Sequence, residues 1–394
     1  MTHLCREFTT DDMNRRDAET QRNARRKYGP FALSPFLPFL LALCLGISAV
    51  SLSCGSKPTD LRALVPADML VYLETNDLGV ALQPVDTSKD GPKFDVSGLR
   101  GMQLAIAVTG IETTEQKLND EQSNAEVKPK FVAVADTHAW HFQAVRFAED
   151  NLGAFVEKMY GSRPTLEEPE RNGGRDMTWT AADGRKAFAF VTGSVVYFSN
   201  DRESLDKTLA IRLGAAGAVS LASTGKVPPT GHDALASGYA STQGIAQIAD
   251  LMGVKVAAGA GDDPQVQSAV ATIFPQLVRA MVTDVSWVEK RNANVVADTY
   301  DIRLPDNIAA ALTGTQAGDL DARLRNTVIG LLAGSKLDDK TQTQVAEAIV
   351  NSVKGSDQTQ TNFTPNGMER TYKSDTGLVG AIVAALATAS SPPA

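Results

Sequence analysis

Twenty-three consecutive residues, Phe31 to Ser53, carry no charge and follow the basic cluster Arg22, Arg25, Arg26 and Lys27. No other feature constrains the chain as strongly, because it separates the first 54 residues from whatever folds after them. Moving Lys or Arg across a bilayer is costly, so a basic stretch ahead of an apolar one stays on the cytoplasmic side. No acidic residue lies between Thr20 and Thr59 to weaken that bias. Residues 1–30 are therefore expected inside as a basic leader and residues 31–54 as a signal or anchor segment. Everything after Cys54 is expected to be exported, membrane-anchored, and facing the periplasm or cell exterior.

The apolar segment supports two forms of attachment. Its length exceeds the roughly 20 residues that span a hydrocarbon core as helix, yet Pro30, Pro35 and Pro38 crowd its first third, where each removes a backbone donor. The remainder, Phe39 to Ser53, has the length of a secretory apolar core. It closes on Ser51-Leu52-Ser53-Cys54, which resembles bacterial lipoprotein signals, with Leu52 one place later than in those signals. That resemblance implies lipidation of the Cys54 thiol. Cys44 follows bulky Leu43 and suits the motif less well. An uncleaved membrane helix with an incidental Cys54 is the other reading. Met13 could also serve as the start, since Met13 to Lys27 already supplies a basic leader.

The 340 residues after Cys54 are enough for two domains of ordinary size. They hold 31 basic and 41 acidic residues, with no concentrated basic face, which argues against a nucleic-acid partner. All three cysteines, Cys5, Cys44 and Cys54, precede this region. The exported part therefore has no disulfide, cysteine nucleophile or Cys-ligated zinc, and its stability rests on packing.

Residues 55–65 read as a polar tether. Met69 to Glu74 is a β-favouring run, followed by Asn76 or Asp77 as the cap of a short helix over Leu78 to Leu82. Met102 to Ile111 and Lys130 to Asp136 are expected to pair as a hairpin whose tip is the polar stretch Glu112 to Pro129. Phe142, Val145, Ala148, Leu152, Phe155 and Met159 recur at helical spacing and predict one apolar stripe. After the acidic loop Arg163 to Gly174 come three short β runs, Met177 to Ala181, Lys186 to Thr192 and Ser194 to Ser199. Asn200 is then expected to cap a helix carrying Glu203, with Leu205 and Leu209 inward.

The second half repeats this order. Leu235 to Ser241 is a strand with Tyr239 in the place of Tyr72, and Gly244 to Leu251 is its helix. Pro264 to Met281 is a helix expected to kink at Pro275, where a backbone donor is missing. Asp284 to Lys290 and Val295 to Leu304 form a hairpin, Leu324 to Leu332 and Val345 to Val353 are helical, and Glu369 to Lys373 with Gly377 to Leu386 close the half as strand and helix. The class expected is α+β: two tandem related modules, residues 66–225 and 226–390, each an antiparallel sheet with helices packed on one face.

Pro66-Ala67-Asp68, Tyr72, Asp77-Leu78, Val195 to Ser199, Ser204-Leu205 and Ser220-Leu221-Ala222 together resemble an uncharacterised family of bacterial exported or membrane-anchored proteins. The resemblance covers roughly Leu64 to Thr224. It implies α+β architecture and an envelope location, and it supplies no catalytic residue.

Candidate chemistry is sparse. His138 and His141, near Asp136, could share a helix face and bind a metal, but a third ligand is missing locally and a strand-to-helix junction suits capping or solvent exposure better. His232 is lone, and no G-x-S-x-G elbow supports a nucleophile. Gly259-Ala260-Gly261 suggests a phosphate loop, yet Asp262 and Asp263 would repel the anion, and Asp263 reads as a helix cap. Glu167, Glu168 and Glu170 lie together on one loop, whereas glycoside hydrolysis needs carboxylates facing each other across a substrate. Tyr72, Trp179, Tyr197, Phe198, Tyr239, Trp287 and Tyr300 all fall in β runs and are expected to pack in the core or on a sheet face. No cofactor, metal or catalytic residue is expected. The role expected is binding or scaffolding at the envelope, with the membrane and an envelope protein as partners. An extracytoplasmic hydrolase or solute-binding component whose site assembles only in three dimensions is the alternative.

Overall fold

The computed structural model describes residues 59–87, 97–119, 122–171, 173–292, 295–312, 319–334, 337–353 and 359–382. Cys54, the segment 31–54 and the leader before it lie outside the described residues.

The first half begins with β1 (Val71–Thr75), α1 (Leu78–Thr87) and a long hairpin, β2 (Gln103–Asn119) and β3 (Gln122–Asp136). Two helices, α2 (His141–Phe147) and α3 (Gly153–Tyr160), follow, joined by a π-helical turn at Ala148–Leu152. Then come β4 (Thr165–Glu167), β5 (Glu170–Arg171), β6 (Gly174–Thr180), β7 (Lys186–Thr192), β8 (Val195–Ser199) and α4 (Arg202–Arg212). The second half contains β9 (Ala234–Ala240), α5 (Thr242–Ala258), α6 (Pro264–Met281), β10 (Asp284–Asn292), β11 (Val295–Arg303), α7 (Asp306–Leu312), α8 (Leu320–Leu332), α9 (Asp339–Val353), β12 (Gln360–Thr364) and β13 (Gly367–Ser374). A last helix, α10, occupies 377–382.

The class is α+β, and every strand pairing is antiparallel within one 13-stranded sheet. Read outward from its centre, one half runs β1-β2-β3-β8-β7-β6 and the other β9-β10-β11-β13-β12. The two halves thus place their strands in matching order about a central β1–β9 pair, in which Tyr72 stands directly opposite Tyr239. This is the repeat in three dimensions, and it joins the halves edge to edge.

Alternation sorts the strand side chains onto two faces. Leu104, Ile106, Phe131, Ala133, Phe198 and Trp179 turn to one face, under α1, α2 and α3. Ala105, Ala107, Val132, Val134, Tyr197 and Tyr72 turn to the other, under Leu205 and Leu209 of α4 and the segment bearing Leu61 and Val65. Helical cover in the first half is therefore two-sided, where one-sided cover is the sequence expectation. The reason is that Phe190, Tyr197 and Tyr72 make the second face as apolar as the first. In the second half α5, α6, α8 and α9 bury Val266, Val270, Phe274, Val328, Val345 and Ile349 mainly among themselves.

Several local expectations change. Within the polar stretch, residues 112–119 and 122–129 continue as strand, with Glu112 opposite Lys128 and Thr114 opposite Glu126, because the ladder is held by backbone bonds that polar residues can make equally well. Asp201, not Asn200, caps α4, accepting from the Ser204 N–H at 2.8 Å. Asn200 instead accepts from the Phe131 N–H and donates to the Pro129 carbonyl, tying β8 to β3. Phe142 leaves the predicted stripe and is exposed, whereas Val145, Ala148, Leu152 and Phe155 are buried. The π turn adds a residue between α2 and α3 and keeps the later members facing the sheet. The short elements α7 and β12 have no counterpart in the sequence expectation, and the acidic stretch Arg163 to Gly174, expected as loop, contributes β4 and β5, which pair with β6.

Candidate interaction end of the sheet

The feature with the most unusual surface chemistry lies where β3 turns into α2. Thr59, the first described residue, is fastened to this end of the sheet: its N–H donates to Gln103 Oε1 at 2.8 Å, its carbonyl accepts from Gln103 Nε2 at 3.0 Å, and its hydroxyl donates to Asp136 Oδ2. Gln103 and Asp136 are both buried. The Asp136 carboxylate also accepts from the His138 N–H at 3.0 Å. Burial pushes the Asp136 carboxyl up, but the bonds from Thr59, His138 and Ser194 outweigh it, and the group is held below the ordinary carboxylate range.

His138 adopts a left-handed backbone, φ 50°, the sole non-glycine to do so among the described residues. Its ring nitrogen Nδ1 lies 3.5 Å from Asp136 Oδ1. That contact and the Asx-type bond to its own N–H hold a conformation a histidine does not favour. His141 is the first residue of α2, exposed, with Nδ1 3.4 Å from the Gly193 carbonyl. The two histidines thus serve different neighbours. Among the described residues no three His, Cys, Asp or Glu side chains converge as metal ligands.

Between and beyond the histidines, Trp140 is 76% exposed and Phe142 is 68% exposed. The Trp140 backbone is fixed nonetheless, its N–H donating to Gln143 Oε1 at 3.1 Å and its carbonyl accepting from Gln143 and Ala144. On the opposite face of the same sheet end, Leu213 follows α4 and is also exposed, next to Arg212, whose Nη2 donates to Thr192 Oγ1 in the β7–β8 turn. Gly193 of that turn is the residue His141 approaches. Exposed apolar side chains therefore flank the sheet end on both sides of one turn, beside the strapped Thr59.

The other residues considered from sequence stand apart from this end or inside the fold. Tyr72, Trp179, Tyr197, Phe198, Tyr239 and Trp287 are buried, and Tyr300 packs edge-on against Tyr372 at 5.6 Å. This is the core or sheet-face packing expected of them. Gly259 closes α5, and Asp263 caps α6 by accepting from the Gln265 N–H at 2.9 Å. Glu168 lies 3.5 Å from Arg175, and Glu167 and Glu170 are exposed on β4 and β5. His232 is exposed before β9, and its neighbour Asp233 pairs with Lys290 at 2.6 Å.

Sequence reading missed one buried polar feature. Glu289 on β10 is 0% exposed and stands directly opposite Asp298 on β11, which is 4% exposed. Glu289 Oε2 accepts from the Val379 N–H of α10 at 3.0 Å. Among the described residues no donor reaches Glu289 Oε1 or Asp298 Oδ1, and a single proton shared between the two carboxyls would satisfy both. Burial, then the nearby Asp298 charge, pushes Glu289 up to about 8, against the opposing bond from Val379. The signal was present in the sequence as period-two spacing, since Trp287 and Glu289, like Asp298 and Tyr300, fall two residues apart on one strand face.

No family model matches the chain, and no curated protein matches it. Two solved structures, crystal forms I and III of TP0453, align over 85% and 84% of this chain and 99% of theirs. They share 8% and 7% identity with it at TM-scores of 0.34 and 0.37, too loose a likeness to carry fold or function across. Among the described residues no helix is long and apolar enough to cross a membrane.

Proposed function

We propose that this chain is a non-catalytic, lipid-anchored cell-envelope protein with a binding or scaffolding role, displayed on the periplasmic or outer side of a membrane. The observation that carries the reading is the strap at Thr59. Only four residues separate Cys54 from Thr59, and Thr59 is held by three hydrogen bonds to Gln103 and Asp136. A lipid on Cys54 would thus hold the folded body close to the membrane instead of on a long leash. Asp136 and His138, the pair nearest to a catalytic arrangement, are engaged in holding this strap and the β3–α2 corner. The resemblance to exported proteins of uncharacterised function supports the same location, and an envelope protein is the partner we propose.

Cell fractionation of the native chain and the Cys54→Ala variant tests the anchor, with intact-mass measurement of the membrane-bound form. The expected outcome is an acylated N-terminus at Cys54 and release or mislocalisation of the variant. A mature N-terminus upstream of Cys54 with no acyl mass, together with unchanged membrane attachment of Cys54→Ala, would refute it.

A further inference from the structure

We infer that the end of the sheet carrying Trp140, Phe142 and Leu213 rests on the lipid surface to which the chain is anchored, with Trp140 and Phe142 inserted at the interface. The inference rests on membrane attachment ahead of Thr59, and it holds for a lipidated Cys54 and for a retained helix ending near Ser53 alike. It adds which face of the fold meets the bilayer and which side chains enter it.

Geometry sets the constraint. A chain extends at most about 3.6 Å per residue, so the five steps from Cys54 to Thr59 reach no further than about 18 Å. Thr59 is fixed to the sheet end through Gln103 and Asp136, and Trp140 follows Asp136 by four residues. The aromatic corner therefore lies beside the point where the tether enters the fold. Other parts of the surface have no such restriction.

The chemistry of the corner fits an interface. Tryptophan combines a large apolar body with one N–H donor and concentrates at the boundary between hydrocarbon and headgroups, and phenylalanine there adds apolar area. Both side chains here stand out from a backbone fixed by the Gln143 cap, so they are presented in place. Leu213 extends the apolar rim to the other face of the sheet, with Arg212 at its side and His141 across the turn. A water-facing end gains nothing from this arrangement, since three large apolar side chains flank one turn there with no neighbour among the described residues to bury them. The long β2–β3 ribbon projects from the opposite end of the sheet, because β3 enters the corner at its C-terminal residue, Asp136.

Full-length protein reconstituted into phosphatidylcholine vesicles, with and without bromine on the acyl chains, tests this by tryptophan fluorescence alongside vesicle flotation. Trp179 and Trp287 are buried in the protein, so the difference between native chain and Trp140→Phe isolates Trp140. The expected result is co-flotation, a blue-shifted Trp140 component, its quenching by brominated lipid, and its shielding from aqueous iodide. Co-flotation with Trp140 quenched by iodide and not by bromine overturns the inference and leaves the anchor standing. Co-flotation with Trp140 shielded from both quenchers also overturns it, and assigns the corner to a protein neighbour or second copy. Failure to float overturns both the anchor and the inference.

Discussion

Replacing Glu289 with Gln should reverse a pH-dependent weakness built into the second half of the sheet. Glu289 and Asp298 face each other across β10 and β11, almost wholly buried, with one free oxygen on each. In the unfolded chain Glu289 loses its proton near the ordinary value of 4.5, whereas in the fold it keeps it up to about 8. Over that window the folded state holds one proton more than the unfolded state, so stability falls as pH rises, by about 1.4 kcal/mol per pH unit. Across the window from 4.5 to about 8 the loss reaches about 5 kcal/mol, complete above pH 8 and absent below about 4.5. A glutamine is isosteric, can donate to the Asp298 carboxylate and accept from the Val379 N–H, and does not ionise. Buried Glu74 is also raised, chiefly by burial, and gives a slope of the same sign, so the comparison of variant with native chain is the quantity to read. Urea unfolding followed by tryptophan fluorescence at pH 5 and at pH 9 measures it. The two proteins should be similarly stable at pH 5, and the variant more stable by roughly 2–4 kcal/mol at pH 9. Parallel pH profiles, or a variant weaker than the native chain at pH 9, would refute the shared proton.

Two further substitutions probe the packing. Phe198 lies at the centre of an aromatic group, with ring centres 6.0 Å from Phe131, 5.6 Å from Phe155 and 6.3 Å from Trp179, so Phe198→Ala should cost about 3–5 kcal/mol in chemical denaturation. A loss below about 1 kcal/mol would mean the group is not a packed core. Gly238 sits opposite Leu73 and Trp287 in the central strands, and an added Cβ would overlap the Trp287 indole nitrogen and crowd the Tyr72 carbonyl at 2.7 Å. Gly238→Ala should therefore destabilise by about 1–3 kcal/mol or more and perturb Trp287 emission, while native-like stability and emission would place Trp287 elsewhere.

What the sequence disclosed, and what it hid, divides by the range of the interaction responsible. Elements built on apolar periodicity were legible: Pro264 to Met281, the Asp284 to Leu304 hairpin, and the recurrence of Tyr72 and Tyr239, which the fold sets face to face. The ribbon through Glu112 and Lys128 was hidden because its ladder is carried by backbone groups, which leave no apolar trace. Capping of α4 was ambiguous between two adjacent good cappers, and a tertiary demand from Phe131 and Pro129 took Asn200 and left Asp201 to cap.

The sheet end proposed to face lipid was hidden for the same reason at longer range. Its two determinants, the strap from Thr59 to Asp136 and the exposure of Phe142, depend on residues 77 apart in sequence and on the start of a helix whose spacing alone predicts burial. At the first turn of α2 a residue in phase with buried Val145 is left exposed. An apolar residue left in that position, beside the point where the tether enters, is more economically explained by a surface outside the chain than by a core within it. The brominated-lipid measurement on Trp140 therefore probes the anchor and the fold together, because only a body held by Thr59 in this orientation brings that indole to the bilayer.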